Sequence, residues 1–183
     1  MSRQSWKITQ RILWIIGLVC LAYWAQVNLK AIWSQAEGAR ALERPGLTAK
    51  SLSVGDVVGR LEIPRLNLST VVFEGADSDV LERGAGHLPD TALPGKRGNT
   101  VLAAHRDTFF RPLRGIRIGD RVKFHQSKGD HVYIVRSARV VEPNEVDVLN
   151  PTAEPELTLI TCYPFRFIGP APERFVVRAV LAP

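Results

Sequence analysis

The hydrophobic positions form one long run near the N-terminus and many short runs after it. Ile12 to Ala25 contains fourteen residues without a charge, and Arg3, Lys7 and Arg11 precede it. Extended to Ile8 and Val27, the run approaches the ~20 residues that a membrane-spanning helix needs. The basic flank favours a cytoplasmic N-terminus. This pattern predicts one N-terminal transmembrane helix, with the rest of the chain outside the cytoplasm.

A cleaved signal peptide is the alternative interpretation of this run, because its uninterrupted part is as short as a signal-peptide core. Cleavage requires small residues at both positions of an A-x-A site, whereas Tyr23 and Trp24 crowd Ala25. Aromatic residues on both sides of the run are typical of membrane interfaces. The sequence therefore favours a retained membrane anchor.

The segment after the apolar run is rich in residues that favour helix. Gln26 to Leu42 contains mainly Ala, Gln, Leu, Lys and Glu, and Pro45-Gly46 would end a helix. Leu47 to Val54 has the character of a linker. The predicted organisation is an anchor with a basic flank at 1–28, a helical stalk and linker at 29–56 and a folded domain at 57–183.

The folded domain consists of short β-like runs bounded by Gly, Pro, Asn and Asp. Ser78 to Arg83 and Phe109 to Arg114 are the segments that favour short helical turns. Seven or eight strands with few helices indicate an all-β sandwich or barrel. The runs are Gly59 to Ile63, Leu68 to Phe73, Asn99 to Ala104, Arg121 to His125, His131 to Val141, Leu157 to Thr161 and Phe175 to Leu181.

Charge argues against a nucleic-acid-binding protein, although the 183 residues carry a formal net charge of +6. Residues 1–50 hold seven Lys or Arg against two Glu, which is +5, and the remainder holds 17 basic against 16 acidic residues, which is +1. A nucleic-acid binder is expected to carry its excess charge on the folded domain. The excess here belongs to the N-terminal arm.

Three side chains with reactive or charged groups lie at the ends of predicted strands. Cys162 follows an apolar strand and precedes Tyr163-Pro164, His105 follows another strand, and Arg174 opens a third. A thiolate nucleophile needs a cationic neighbour and a proton donor for the leaving group, and an Arg can stabilise an oxyanion. Taken singly, each has an ordinary structural interpretation: a packed Cys, a structural His and a surface Arg. Together they would form a Cys-His-Arg site.

Several motifs resemble those of one enzyme family. Thr158-Leu-Ile-Thr-Cys162 resembles the TLxTC signature of sortases, and Ala104-His105-Arg106-Asp107-Thr108-Phe109-Phe110 resembles their His segment. The resemblance extends from about Gly59 to Val180 and includes Leu61-Glu-Ile-Pro64, Gly86-His-Leu-Pro89 and Pro172-Glu-Arg174-Phe175. The forms around the Cys and the His are most similar to class D sortases.

This resemblance implies a closed β-barrel of seven to eight strands and a cysteine transpeptidase with no cofactor. Cys162 would attack an LPxTG-type C-terminal sorting signal of a secreted or surface protein and form a thioester. His105 would act as general acid and base, and Arg174 would stabilise the oxyanion. An amine of the cell wall or of a pilin would then accept the acyl group. Arg178, four residues after Arg174, is the competing candidate for the arginine role.

Two further residues are candidates for substrate binding. Thr161 directly precedes the candidate nucleophile, and His87 lies in a segment that matches the family pattern. A metal site is not predicted, because His125 and His131 lack further ligands and the acidic residues between 142 and 156 lack the spacing of a calcium loop. The basic stretch from Arg106 to Arg121 is interpreted as a solvated surface.

Two other functions compete with a membrane-anchored transpeptidase. A cysteine protease would use the same residues but release the acyl group to water. A non-enzymatic envelope module would bury Cys162 as a packing residue. Transpeptidase and protease differ in groove access and acceptor affinity, which the sequence does not reveal. The reactivity of the Cys162 thiol would separate the non-enzymatic module from both enzymes.

Overall fold

The computed structural model describes residues 3–42, 52–127 and 129–183. Helix α1 spans Arg3–Leu42 and helix α2 spans Ser78–Arg83. Short 3-10 helices lie at Pro64–Leu66, Arg111–Gly115 and Val146–Leu149. The strands are β1 (Val57–Ile63), β2 (Leu68–Glu74), β3 (Ala85–His87), β4 (Asn99–Ala103), β5 (Arg121–Gln126), β6 (Gly129–Val141), β7 (Glu156–Tyr163) and β8 (Glu173–Leu181).

The eight strands close into a barrel in the order β1-β2-β3-β4-β7-β8-β6-β5. The β2–β3 and β4–β7 pairs are parallel, and the other pairs are antiparallel. This confirms the prediction of a closed barrel with short helices. The parallel β4–β7 pair places the C-terminal ends of these two strands at the same end of the barrel.

Alternation along β7 separates the barrel interior from its outer face. Leu157 and Leu159 are fully buried in the main core, whereas Ile160 packs against a smaller cluster of Val141, Val148 and Val176. Because successive side chains of a strand point to opposite faces, Cys162 shares the outer face with Ile160. The candidate nucleophile therefore lies outside the packed interior.

The sequence missed one strand and misplaced the ends of others. The missed strand, β3, has only three residues, Ala-Gly-His, which carry no β-pattern. Ladder pairing extends β7 to Tyr163 and starts β8 at Glu173, since these two residues are partners. Cys162 and Arg174 consequently lie within strands rather than beside them.

An ion pair between the exposed Arg65 and the buried carboxylate of Asp120 fixes the turn before β5. Arg65 donates from Nη2 to Oδ2 of Asp120 at 2.6 Å, and the same oxygen accepts from the backbone N–H of Arg117 at 2.8 Å. The hydrogen bonds from the Arg65 guanidinium lower the pKa of Asp120 from its ordinary value. This carboxylate is thus stabilised in its charged form.

The C-terminal half of α1 packs against the barrel. The Gln35 side chain donates from Nε2 to the carbonyl of Arg83 at 2.6 Å and accepts from the N–H of Val71 at 2.7 Å. A Cβ at Gly38 would lie 2.6 Å from Cγ1 of Val71, so the helix approaches β2 as closely as a glycine permits. The segment predicted as a stalk is therefore in direct contact with the folded domain.

Within the described ranges, no helix is both long enough and apolar enough to cross a membrane. The charge-free run at 12–25 is shorter than a typical spanning segment, and polar Gln26 follows it. The predicted helix stop at Pro45-Gly46 and most of the predicted linker at 47–54 fall outside the described residues. The predicted boundaries at 28 and 56 stay a prediction.

Candidate active site

Cys162 and Arg174 face each other across the β7–β8 ladder. They are direct Cα partners in the antiparallel register, and both are half-buried. Side chains of directly opposed residues lie on the same face, with Cβ atoms ~5 Å apart. The two side chains that the sequence separates by twelve positions are therefore neighbours on the outer face of the barrel.

The Arg174 guanidinium is held by backbone oxygens. Its Nη1 donates to the carbonyls of Ala171 at 3.2 Å and Glu173 at 2.9 Å. The ion pairs of the described residues do not include Arg174. Its positive charge is consequently available to an oxyanion next to Cys162.

Arg178 lies on the same face of β8 but farther from Cys162. Its ladder partner is Thr158, and its Nη2 reaches the carbonyl of Val148 at 3.5 Å, beneath the 3-10 helix at Val146–Leu149. The register thus places Arg174, and not Arg178, opposite the candidate nucleophile.

His105 leaves the barrel at the same end as Cys162. The last β4–β7 pair is Ala103 with Ile160, and the N–H of Ala104 donates to the carbonyl of Ile160 at 3.3 Å. His105 and Cys162 each lie two residues beyond that pair, and His105 is exposed. β7 therefore carries Cys162 between the strand that leads to His105 and the strand that holds Arg174.

Thr161 points inward and joins β7 to the residue before His105. Its side chain is buried, and Oγ1 donates to the carbonyl of Ala104 at 2.7 Å. This hydrogen bond fixes the spacing between the His105 and Cys162 strands. The role of Thr161 in substrate binding stays a prediction.

His87 lies in a buried network away from Cys162. Its Nδ1 is 2.7 Å from Oε2 of Glu74, and its Nε2 is 3.1 Å from the hydroxyl of Thr91. Its ladder partner is Leu102, which pairs in turn with Leu159 of β7, three residues before Cys162. The structure therefore does not bring His87 together with Cys162, His105 and Arg174, and a substrate contact by His87 stays a prediction.

Three aromatic rings pack together at the active-site end of the barrel. The ring centroids of Tyr163 and Phe175 are 6.2 Å apart in a stacked arrangement, and Phe165 contacts both rings at 5.9 and 5.3 Å. Tyr163 and Phe175 directly follow Cys162 and Arg174 on their strands, and their side chains therefore point to the opposite face. They support the backbone on which both side chains stand.

In the described part of the chain, no group of three His, Cys, Asp or Glu side chains is arranged to hold a metal ion. The imidazole of His125 is instead occupied by two carboxylates, Oε2 of Glu62 at 3.2 Å and Oδ2 of Asp130 at 2.9 Å. The functional groups that Cys162, His105 and Arg174 bring to this end of the barrel are a thiol, an imidazole and a guanidinium.

The sequence interpretation missed Arg106, which was assigned to a solvated basic surface. Its Nη2 donates to the carbonyls of Phe167 at 3.0 Å and Gly169 at 3.1 Å, in the loop between β7 and β8. No periodicity signals such a contact, because the donor and its acceptors are 61 and 63 residues apart. Adjacency to His105 was the one available hint.

Comparison with known proteins yields a consistent set of relatives. A family model described as the sortase domain matches residues 61–182. Sortase D of Bacillus subtilis (strain 168) is 37% identical over 124 residues, which are 67% of this chain and 63% of that protein. The chain thus spans less than two thirds of that relative's length.

Solved structures agree with the sequence comparison. A Clostridium perfringens sortase D5 transpeptidase superimposes with a TM-score of 0.66 at 29% identity, covering 87% of this chain and 95% of the other. Sortase C-1 from Streptococcus pneumoniae gives a TM-score of 0.67 at 30% identity, with 78% and 76% covered. The resemblance that the motifs indicated is found independently in the fold.

Proposed function

We propose that this chain, which belongs to the sortase family, is a cysteine transpeptidase that cleaves an LPxTG-type sorting signal and transfers the protein to an amine. The observation that carries the proposal is the register that sets Cys162 opposite Arg174 on a strand next to the one leading to His105. The similarity to class D sortases, at 37% identity with one of them, supports the same activity.

In the proposed reaction, the Cys162 thiolate attacks the carbonyl carbon of the scissile peptide bond and forms a tetrahedral oxyanion. The Arg174 guanidinium stabilises that oxyanion. His105 gives a proton to the departing amine, the C–N bond breaks, and a thioester remains on Cys162. The acceptor amine then attacks the thioester, gives its proton to His105 and releases the thiolate. Amide exchange by this route needs no external energy source.

The proposed partners are a secreted or surface protein with a C-terminal sorting signal and an amine of the cell wall or of a pilin. The exposed position of His105 supports this, because an acceptor amine must reach the proton-transfer group from solvent. The fully exposed side chain of Ile168, in the β7–β8 loop, adds an apolar surface beside the site. Both features are compatible with a macromolecular substrate.

The experiment is to incubate the full chain with LPxTG and LPxTA peptides and triglycine, and to measure protein and product masses. A mass gain on Cys162 that triglycine discharges into a ligated peptide is the expected result. Discharge to water alone would identify a protease. The chain offers a matched control, since its other cysteine is Cys20: Cys162→Ala should abolish the adduct and Cys20→Ala should retain it. A Cys162 thiol that resists iodoacetamide in the folded chain would overturn the proposal in favour of a packed residue.

A membrane location of the domain, on the extracytoplasmic side, is part of the proposal. Large apolar side chains between Ile12 and Trp24 are 52% to 70% exposed around α1, and a helix that is apolar all round is typical of a lipid environment. Arg3, Lys7 and Arg11 precede them. That α1 spans the membrane stays a prediction.

The two cysteines also test this location. In intact cells, a membrane-impermeant maleimide should label Cys162 and leave Cys20, within the apolar run, unlabelled. Labelling of Cys162 only after lysis would place the domain in the cytoplasm and contradict the proposal. Labelling of Cys20 in intact cells would contradict its placement in lipid.

A further inference from the structure

Arg106 makes a two-pronged contact across the active-site end of the barrel. It follows His105 directly, and its Nη2 donates to two carbonyls of the β7–β8 loop, those of Phe167 and Gly169. The guanidinium carbon also lies 5.8 Å from the centroid of the Phe167 ring, within the range of a cation–π interaction. This geometry is that of a side chain that holds a loop, rather than of a solvated surface charge.

The loop that Arg106 contacts has little packing of its own. Residues 166–170 are all exposed, and the Ile168 side chain is fully exposed to solvent. A loop with few buried apolar contacts opens at low free-energy cost. Hydrogen bonds to its carbonyls are therefore a main means of fixing its path.

The same loop holds Arg174. Its guanidinium donates to the carbonyl of Ala171, two residues after Gly169, and to that of Glu173. Arg174 in turn faces Cys162 across the ladder. A continuous series of contacts thus runs from the residue after His105, through the loop backbone, to the guanidinium beside Cys162.

We propose that Arg106 is a positioning residue that fixes the β7–β8 loop and thereby aligns the Arg174 guanidinium with the oxyanion formed at Cys162. The alignment in catalysis rests on the proposed function, whereas the loop contact does not. Arg106 acts through Arg174 and touches neither the substrate nor the thiol. Small misplacements of a catalytic group have large effects on rate, so loss of the contact should lower kcat.

The first arm of the test measures hydrogen exchange in the full chain. Arg106→Gln should increase backbone exchange at the strand ends that the loop joins, residues 160–163 of β7 and 173–176 of β8, by about tenfold or more, and Arg106→Lys should give an intermediate increase. Arg111→Gln is the matched control, since Arg111 is exposed in the neighbouring 3-10 helix. Unchanged exchange in Arg106→Gln would overturn the proposal whether or not the chain proves to be a transpeptidase.

The second arm is a double-mutant cycle on kcat for peptide transfer. Arg106→Gln alone should lower kcat by about 10- to 100-fold. Combined with Arg174→Gln, it should add little to the loss that Arg174→Gln causes alone, because residues that act as one unit are not additive. Multiplication of the two losses would show an independent effect and overturn the proposal. Increased exchange at these strand ends in a chain that transfers no peptide would support the contact while refuting the proposed function.

Discussion

Cys162 and Arg174 are direct partners in the β7–β8 ladder, whereas Arg178, four residues later in β8, pairs with Thr158. The two arginines share a strand and a face, so spacing alone does not separate them. Their ladder partners do. This difference makes the pair a matched comparison for the role of a guanidinium next to the nucleophile.

Arg174→Gln should lower peptide transfer by about 10²- to 10³-fold, the usual effect of removing an oxyanion donor. Arg178→Gln should leave the rate near that of the unmodified chain, because its guanidinium lies beneath the Val146–Leu149 helix. Initial rates with saturating peptide and triglycine provide the measurement. If Arg178→Gln lowered the transfer rate more than Arg174→Gln did, with an unchanged unfolding temperature, Arg178 rather than Arg174 would be the oxyanion donor.

Thr161→Val should lower the free energy of unfolding by about 1–3 kcal/mol, because the buried carbonyl of Ala104 loses its donor. Thr161→Ser keeps the hydroxyl and serves as the control with a smaller loss. Urea denaturation of both variants gives the comparison. If Thr161 instead binds substrate, the Val variant will raise KM without changing the unfolding midpoint.

His87→Ala should lower the free energy of unfolding by about 2–4 kcal/mol, since it leaves the Glu74 carboxylate buried without its partner and creates a cavity. His125→Ala is the control, because His125 is partly exposed and its loss leaves solvated carboxylates. Thermal and urea unfolding measure both. An unaltered stability of the His87 variant, together with a raised KM for peptide, would favour a substrate contact.

Asp120→Asn should destabilise the domain at neutral pH but not at strongly acidic pH. The Arg65 hydrogen bonds lower the pKa of Asp120 in the folded chain, so this carboxylate contributes stability above its ordinary pKa of about 4. The contribution is lost as pH falls through the lower folded pKa. The unfolding temperatures of the unmodified protein and of Asp120→Asn, measured from pH 8 to pH 2, should therefore differ at high pH and begin to converge below about pH 4. Glu154→Gln, at an exposed position, is the control and should show no such convergence. A pH-independent difference for Asp120→Asn would contradict the claim that the charged Asp120 carboxylate stabilises the fold.

Gln35→Ala should increase hydrogen exchange at the Val71 amide by about tenfold or more, because that N–H loses its acceptor on α1. Gln26→Ala, also on α1 and exposed, should leave the exchange unchanged. Hydrogen exchange at the Val71 amide is measured in the full chain for both variants and for the unmodified protein. Equal protection at Val71 in both variants would mean that α1 does not rest on the barrel in solution.

Strands with clear β-pattern and motif-bearing residues could be predicted from sequence, and Ser78–Arg83 was predicted with both of its ends. The Asp77 side chain caps this helix by accepting from the N–H of Val80, a local interaction that nearby sequence encodes. β3 was missed because its three residues are strand only through pairing with β2 and β4. Local pattern carries no information on such a partner.

The candidate site likewise combines features that local sequence predicts with features that depend on distant residues. Cys162, His105 and Arg174 were predicted because the motifs around them are local. The motif around Arg174 favoured it over Arg178, but its position opposite Cys162 required the ladder register, and the contact from Arg106 to the β7–β8 loop required the loop's path. Both depend on residues distant in sequence, which a single chain does not reveal.

The shortness of β3 has a consequence for the surface of the barrel. β3 begins at Ala85, the partner of Val72, so the residues of β2 before Val72 have no strand beside them on that side. Gln35 fills the position by binding the Val71 N–H and the Arg83 carbonyl. An unpaired strand edge is a template for pairing with another chain. A chain shortened to begin after α1 would expose this edge, and self-association of the truncated domain is the expected cost of removing the helix.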